Sequence, residues 1–130
     1  MKTREESLTV LKQYTESDAL LRHAYAVEGV MAHFARLLGE DADYWGQVGL
    51  LHDVDYEKWP EEHLKVAPKL LAEAGYDGDF IHAVESHGWG LCSDVKPEKN
   101  MEIVLYTIDE LTGLIGAAIV MRPSKSVMDF

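Results

Sequence analysis

The chain has 130 residues, 47% apolar and 27% charged, which suits one soluble globular domain (residues 1–130) with a real core. Its formal net charge of −11 argues against a dedicated binder of duplex nucleic acid, which needs a basic face, and against docking on anionic membranes. A single cysteine, Cys92, excludes an internal disulfide and suits a reducing cytoplasm, and Met1-Lys2-Thr3-Arg4-Glu5-Glu6 opens no secretory pattern.

Residues 4 to 14 read as a short first helix. Ser17 and Asp18 are N-cap candidates for a longer helix, roughly 19 to 38, along which Leu20, Ala24, Val27, Met31, Phe34 and Leu38 recur at helical spacing. Gly39 is a C′ stop for it. Asp41 caps a third helix, 42 to 51, ending at His52, and residues 54 to 62, with Trp59-Pro60, read as a loop. Pro68 sits in the first turn of a helix that runs to Ala74 and stops at Gly75. Asp77 to His87 forms another, closed by Gly88-Trp89-Gly90. Pro97 lies near the start of a last helix, about 98 to 121, which Arg122-Pro123-Ser124 ends, leaving 122–130 as a tail. With no β alternation, repeat or low-complexity stretch, the class is all-α, a bundle of about five to six helices. Ile103 to Met121 is apolar nearly all round, but Asp109 and Glu110 interrupt it. The clean run Leu111–Met121 is shorter than the about 20 residues a membrane span needs, so it reads as a core helix.

A carboxylate on such a helix must be paired, protonated or bound to a metal, which singles out Asp109; its same-face neighbours are Leu105, Thr112, Gly113 and Gly116. His23 lies at the edge of the apolar stripe of its helix, whereas His33 shares a polar face with Arg22, Tyr25, Gly29, Arg36 and Glu40 and is expected in solvent. His52-Asp53 follows the apolar run Gly49-Leu50-Leu51. Neighbouring residues on a helix point about 100° apart, so the two side chains converge on one ion only at a helix end or turn. Two imidazoles and two carboxylates make a mixed N/O set suited to Mn, Fe, Co, Ni or Zn. Helices of a bundle are a common source of such ligands.

The order His23, His52-Asp53, Asp109, in these contexts, resembles the HD-domain phosphohydrolase superfamily over roughly residues 19 to 121. That resemblance implies an all-α fold, with His23, His52, Asp53 and Asp109 as ligands of a divalent metal (Mn, Fe, Co, Ni, Zn or Mg). Some members hold a second metal through histidines between the doublet and the last Asp, and His63 and His87 stand where those would lie. His82 reads as structural. Glu28, Asp55 and Glu85 are equal candidates to orient a ligand imidazole. Two elements of relatives are absent: position 56 is Tyr where some carry a Lys after the doublet, and there is no Gly-Tyr-Pro signature of the cyclic-dinucleotide branch.

The resemblance implies a metal-dependent phosphohydrolase acting on a small phosphorylated compound, a nucleotide among the candidates, with Asp53 as ligand and catalytic carboxylate. The alternative is a non-catalytic metal- or nucleotide-binding regulatory domain. Lys58, Arg122 and Lys125 are candidate phosphate contacts, with Lys65, Lys69 and Lys96 behind them. The oligomeric state stays open, with Trp45, Trp59 and Trp89 as interface candidates.

Overall fold

Side-chain caps set most of the helix boundaries in the computed structural model, which describes residues 2–89, 93 and 95–109. Helix α1 (Arg4–Tyr14) opens on a capping box in which Thr3 and Glu6 each bond the other's backbone amide. Helix α2 (Asp18–Leu38) starts at Ser17, whose hydroxyl accepts from the Leu20 amide, and ends where Gly39 turns left-handed at φ 72. Asp41 caps α3 (Ala42–Leu51) by accepting from the Asp43 and Tyr44 amides. A 3-10 turn, Pro60–Glu62, follows. Helix α4 (Ala67–Glu73) carries Pro68 in its first turn and gives way to Gly75 at φ 93. Asp77 caps α5 (Gly78–Ser86). Residues 100–109 form α6. Among the described residues there is no strand, only an isolated bridge between Trp89 and Ser93. The architecture is the all-helical one expected from the sequence.

Two expectations need correction. The stripe of α2 narrows, because Ala24, Val27, Met31 and Ala35 are buried whereas Phe34 and Leu38 are exposed. The cause is the close approach of α3. A Cβ added to Gly49 would lie 3.0 Å from both the Val27 carbonyl oxygen and Met31 Cγ. That near backbone contact fixes which face of α2 turns inward. The central helix is α3, buried without a break from Trp45 to Leu51. Each of Leu50, Leu51, Val27 and Met31 removes its whole side chain from water, contributing about 1.5–3 kcal/mol.

The last helix also starts later than expected, at residue 100, because the buried Glu102 carboxylate accepts from the Glu98 and Lys99 amides and holds them outside the helix. The same carboxylate accepts from His82 Nδ1. His82 is therefore structural, tying α5 to α6. Residues 110–121 of the expected helix, and the tail, lie outside the described residues. No helix among the described residues is long and apolar enough to cross a membrane.

Candidate metal centre

Four helices and the 3-10 turn bring six side chains to one end of α3. His23 comes from the second turn of α2 and Asp109 from α6. His52 and His87 are the C-caps of α3 and α5, and Asp53 enters the turn after α3, so the doublet does sit at a helix end. His63 follows the 3-10 turn.

Both C-cap histidines use a free carbonyl of the helix they close. The Nδ1–H of His52 donates to the Gly49 carbonyl at 2.5 Å, and that of His87 to the Val84 carbonyl at 2.5 Å. His63 Nδ1–H donates to Asp55 Oδ1 at 2.6 Å. These acceptors carry no hydrogen, so in each ring Nδ1 keeps the proton and Nε2 turns inward as a ligand atom.

The inward atoms form two groups that share one carboxylate. In the first, His23 Nε2 and His52 Nε2 are 3.1 Å apart, and each lies near Asp53 Oδ2 (3.5 and 3.2 Å) and Asp109 Oδ1 (3.3 and 3.2 Å). In the second, His63 Nε2 and His87 Nε2 are 3.3 Å apart and each is 3.2 Å from Asp53 Oδ1. Ligands about 2.1 Å from a common ion are separated by about 3.0 Å at right angles and about 3.4 Å at the tetrahedral angle. The observed spacings fall in and around that range, and the nitrogen and carboxylate set suits a divalent transition ion. His52 is fully buried, while the side chains of His23, Asp53 and Asp109 are 24, 22 and 28% exposed, so the first group opens to solvent.

The electrostatics fit a site built around positive charge. Hydrogen bonds to Asp109 and Asp53 push His23 up to about 9. Burial works against charge on His63, yet Asp53 and Asp55 outweigh it and raise it to about 9 as well. His52 is raised despite complete burial, because Asp53 and Asp109 face it. Burial opposes the charges of Asp53 and Asp109 too, but the imidazoles hold both well below the usual carboxylate range. Protons thus occupy nitrogens that a metal requires bare. Metal loading at neutral pH is expected to release protons, with affinity rising as pH climbs toward 9. Calorimetry in buffers of differing ionisation enthalpy measures the release, and a count of zero would contradict a ligand role for these rings.

Of the three residues considered for orienting an imidazole, Asp55 does so. It is fully buried and also accepts from the Leu64 and Ala67 amides at 2.7 and 2.9 Å. Glu28 instead pairs with Arg4 at 2.6 Å, a partner on α1 that no local pattern reveals. Glu85 is raised by burial and faces His82 rather than a ligand. Glu57 was not singled out from the sequence. Its carboxylate accepts from the Glu16 and Ser17 amides at 2.6 and 2.8 Å, fastening the turn after the doublet to the start of α2 and so to His23. Among the candidate cations, Lys58 lies over the Tyr14 ring and Lys96 over Trp89, and Lys65 and Lys69 are exposed. Arg122 and Lys125, like Thr112, Gly113 and Gly116, lie outside the described residues. His33 is exposed, as expected, so His33→Ala should leave metal content unchanged by elemental analysis; loss of metal would mean that α2 is wrongly phased.

An all-helical fold that clusters histidines and aspartates in two groups able to hold a metal ion defines a class of helical domain with a candidate metal centre. The family model of the HD domain matches residues 20–113, a span that contains every one of these side chains. The chain belongs to the HD-domain family. Comparison with curated proteins finds no match, and comparison with solved structures finds none either.

Proposed function

We propose that the protein is a divalent-metal-dependent phosphohydrolase that converts a small phosphate monoester and water into an alcohol and inorganic phosphate. The observation that carries this reading is the position of Asp53, whose two oxygens face two separate ligand groups about one carboxylate. In this reading His23, His52, Asp53 and Asp109 hold one ion, and His63 and His87 hold a second with Asp53. When bound, the metal supplies Lewis acidity toward a phosphoryl oxygen and a water acidic enough to ionise near neutral pH.

The chain's own residues do the rest. Gly49, Val84 and Asp55 fix three ring tautomers, so those ligands need no reorganisation. Asp53 and Asp109 stay ionised and reach the solvent-facing side, where substrate enters. Partial exposure of the first group favours turnover over a purely structural or regulatory metal, since a closed structural site leaves no position for substrate. Lys58, Arg122 and Lys125 are the proposed phosphate contacts.

The test is elemental analysis of protein purified without added metal or chelator, followed by a phosphatase screen of the loaded protein. One or two equivalents of a transition ion with hydrolysis of a phosphate monoester is the expected result. Absence of metal after incubation with Mn, Fe, Co, Ni and Zn would overturn the reading.

A further inference from the structure

Four of the seven large hydrophobic side chains exposed among the described residues crowd onto one stretch of α2: Val30, Phe34, Leu37 and Leu38. At about 100° per residue, Ala26, Val30, His33, Phe34 and Leu37 share an arc of about 100° on that helix, and all five are exposed. Helix α3 takes a different side of α2, through Val27, Glu28 and Met31. In a chain of net charge −11, this strip carries no carboxylate, and His33 is its one titratable side chain. The His33 ring braces Phe34 edge-on, with centroids 5.8 Å apart at 76°.

The spacing along the strip is that of a seam. Ala26, Val30, His33 and Leu37 are separated by four, three and four residues, the alternation with which one helix buries a stripe against another. Laid antiparallel on a second copy, the stripe complements itself: Val30 of one copy meets His33 of the other, and Leu37 meets Ala26. Leu37, the most exposed of the four hydrophobic residues at 66%, then falls on the smallest side chain of the strip. The same register sets Arg22 opposite position 41, at the acidic turn Glu40-Asp41 just past the end of α2. Neither Arg22 nor Glu40 has an ion-pair partner among the described residues; Arg22 Nε donates to the Asp18 carbonyl at 3.2 Å. Parallel pairing would instead set Arg22 against Arg22 and Glu40 against Glu40.

From this complementarity of shape and charge we infer that the exposed strip of α2 binds a second copy of this chain, antiparallel, about a two-fold axis midway between residues 31 and 32. Every contact then occurs twice, as a two-fold interface requires. The stretch from Arg22 to Asp41 is about 28 Å long and one helix wide, which suits reversible association with Kd in about the micromolar range rather than an obligate dimer. The inference is independent of the phosphohydrolase reading.

Sedimentation equilibrium of the 130-residue chain, from about 1 to 500 µM so as to bracket a micromolar Kd, tests it. A concentration-dependent shift from monomer to dimer is expected. Leu37→Glu puts a charge into the seam and should weaken the dimer about tenfold or more, with circular dichroism unchanged because the side chain is exposed. Arg22→Glu should weaken it about fivefold, since two symmetry-related surface pairs are lost, and Arg22→Glu with Glu40→Arg should recover most of that. A monomer at every concentration would overturn the inference; a lowered Tm in Leu37→Glu beside it would point to cover by this chain's own apolar residues 111–121. A dimer that withstands Leu37→Glu would place the contact on another face. A dimer lost in Leu37→Glu but not rescued by the charge swap would reject the antiparallel register.

Discussion

Asp53→Ala is expected to empty both ligand groups at once and to lower hydrolysis by about a thousandfold or more. The size follows from the several kcal/mol that a bound metal supplies to phosphoryl transfer, at about 1.4 kcal/mol per factor of ten. The double loss follows from geometry, because Oδ2 serves His23 and His52 while Oδ1 serves His63 and His87. His87→Ala is the contrast, since it removes a ligand of the second group only. Helical content should persist in both variants. The Asp53 side chain is 22% exposed, and its described ion-pair partners are the site histidines rather than the core. Elemental analysis, circular dichroism and a phosphatase assay check the three parts together. An Asp53→Ala protein that still carries two equivalents of metal would break the shared-carboxylate arrangement.

Much of this fold was legible because its boundaries are written in local chemistry. Ser17, Asp41 and Asp77 cap where such residues should, and Gly39 and Gly75 adopt the left-handed backbone that ends a helix. His23, His52, Asp53 and Asp109 were legible as an ordered set, and His33 as a solvent residue. What stayed hidden depends on pairs distant in sequence. Glu28 looks like a site carboxylate until Arg4 claims it, and Glu57 looks like any loop acid until it meets the start of α2. His63 sits among exposed glutamates, which reads as a solvated loop, yet its own side chain is only 11% exposed. Its burial comes from the partners that the fold brings to it, Asp55, His87 and Tyr56. Periodicity marked the inward face of α2 but overstated how far along the helix it is buried, because Phe34 and Leu38 are exposed while Ala24, Val27 and Met31 meet α3 at the close approach that Gly49 permits.

Asp55→Ala should cost stability and the second metal together. The carboxylate is fully buried and satisfies three donors: His63 Nδ1 and the amides of Leu64 and Ala67. Its removal leaves two buried amides unpaired, at about 1–3 kcal/mol each, which lowers Tm on the order of 10 °C. It also releases a strained turn. Leu64 is the one described non-glycine residue at positive φ, 66, a conformation that costs about 1–2 kcal/mol in an L-residue. Burial of the Leu64 side chain in the core and the Asp55 bond to its amide hold it there. This turn lets the chain send Leu64 into the core while His63 faces the ligand group. Asp55→Asn separates the two effects. Its single amide oxygen can still accept from a backbone amide, but the asparagine no longer presents an anionic oxygen to both His63 and the backbone. The expected result is a smaller fall in Tm with loss of the second equivalent of metal, while the first, held by His23, His52, Asp53 and Asp109, is retained. An Asp55→Asn protein that keeps both equivalents at wild-type affinity would mean that the His63 ring is aimed by packing alone.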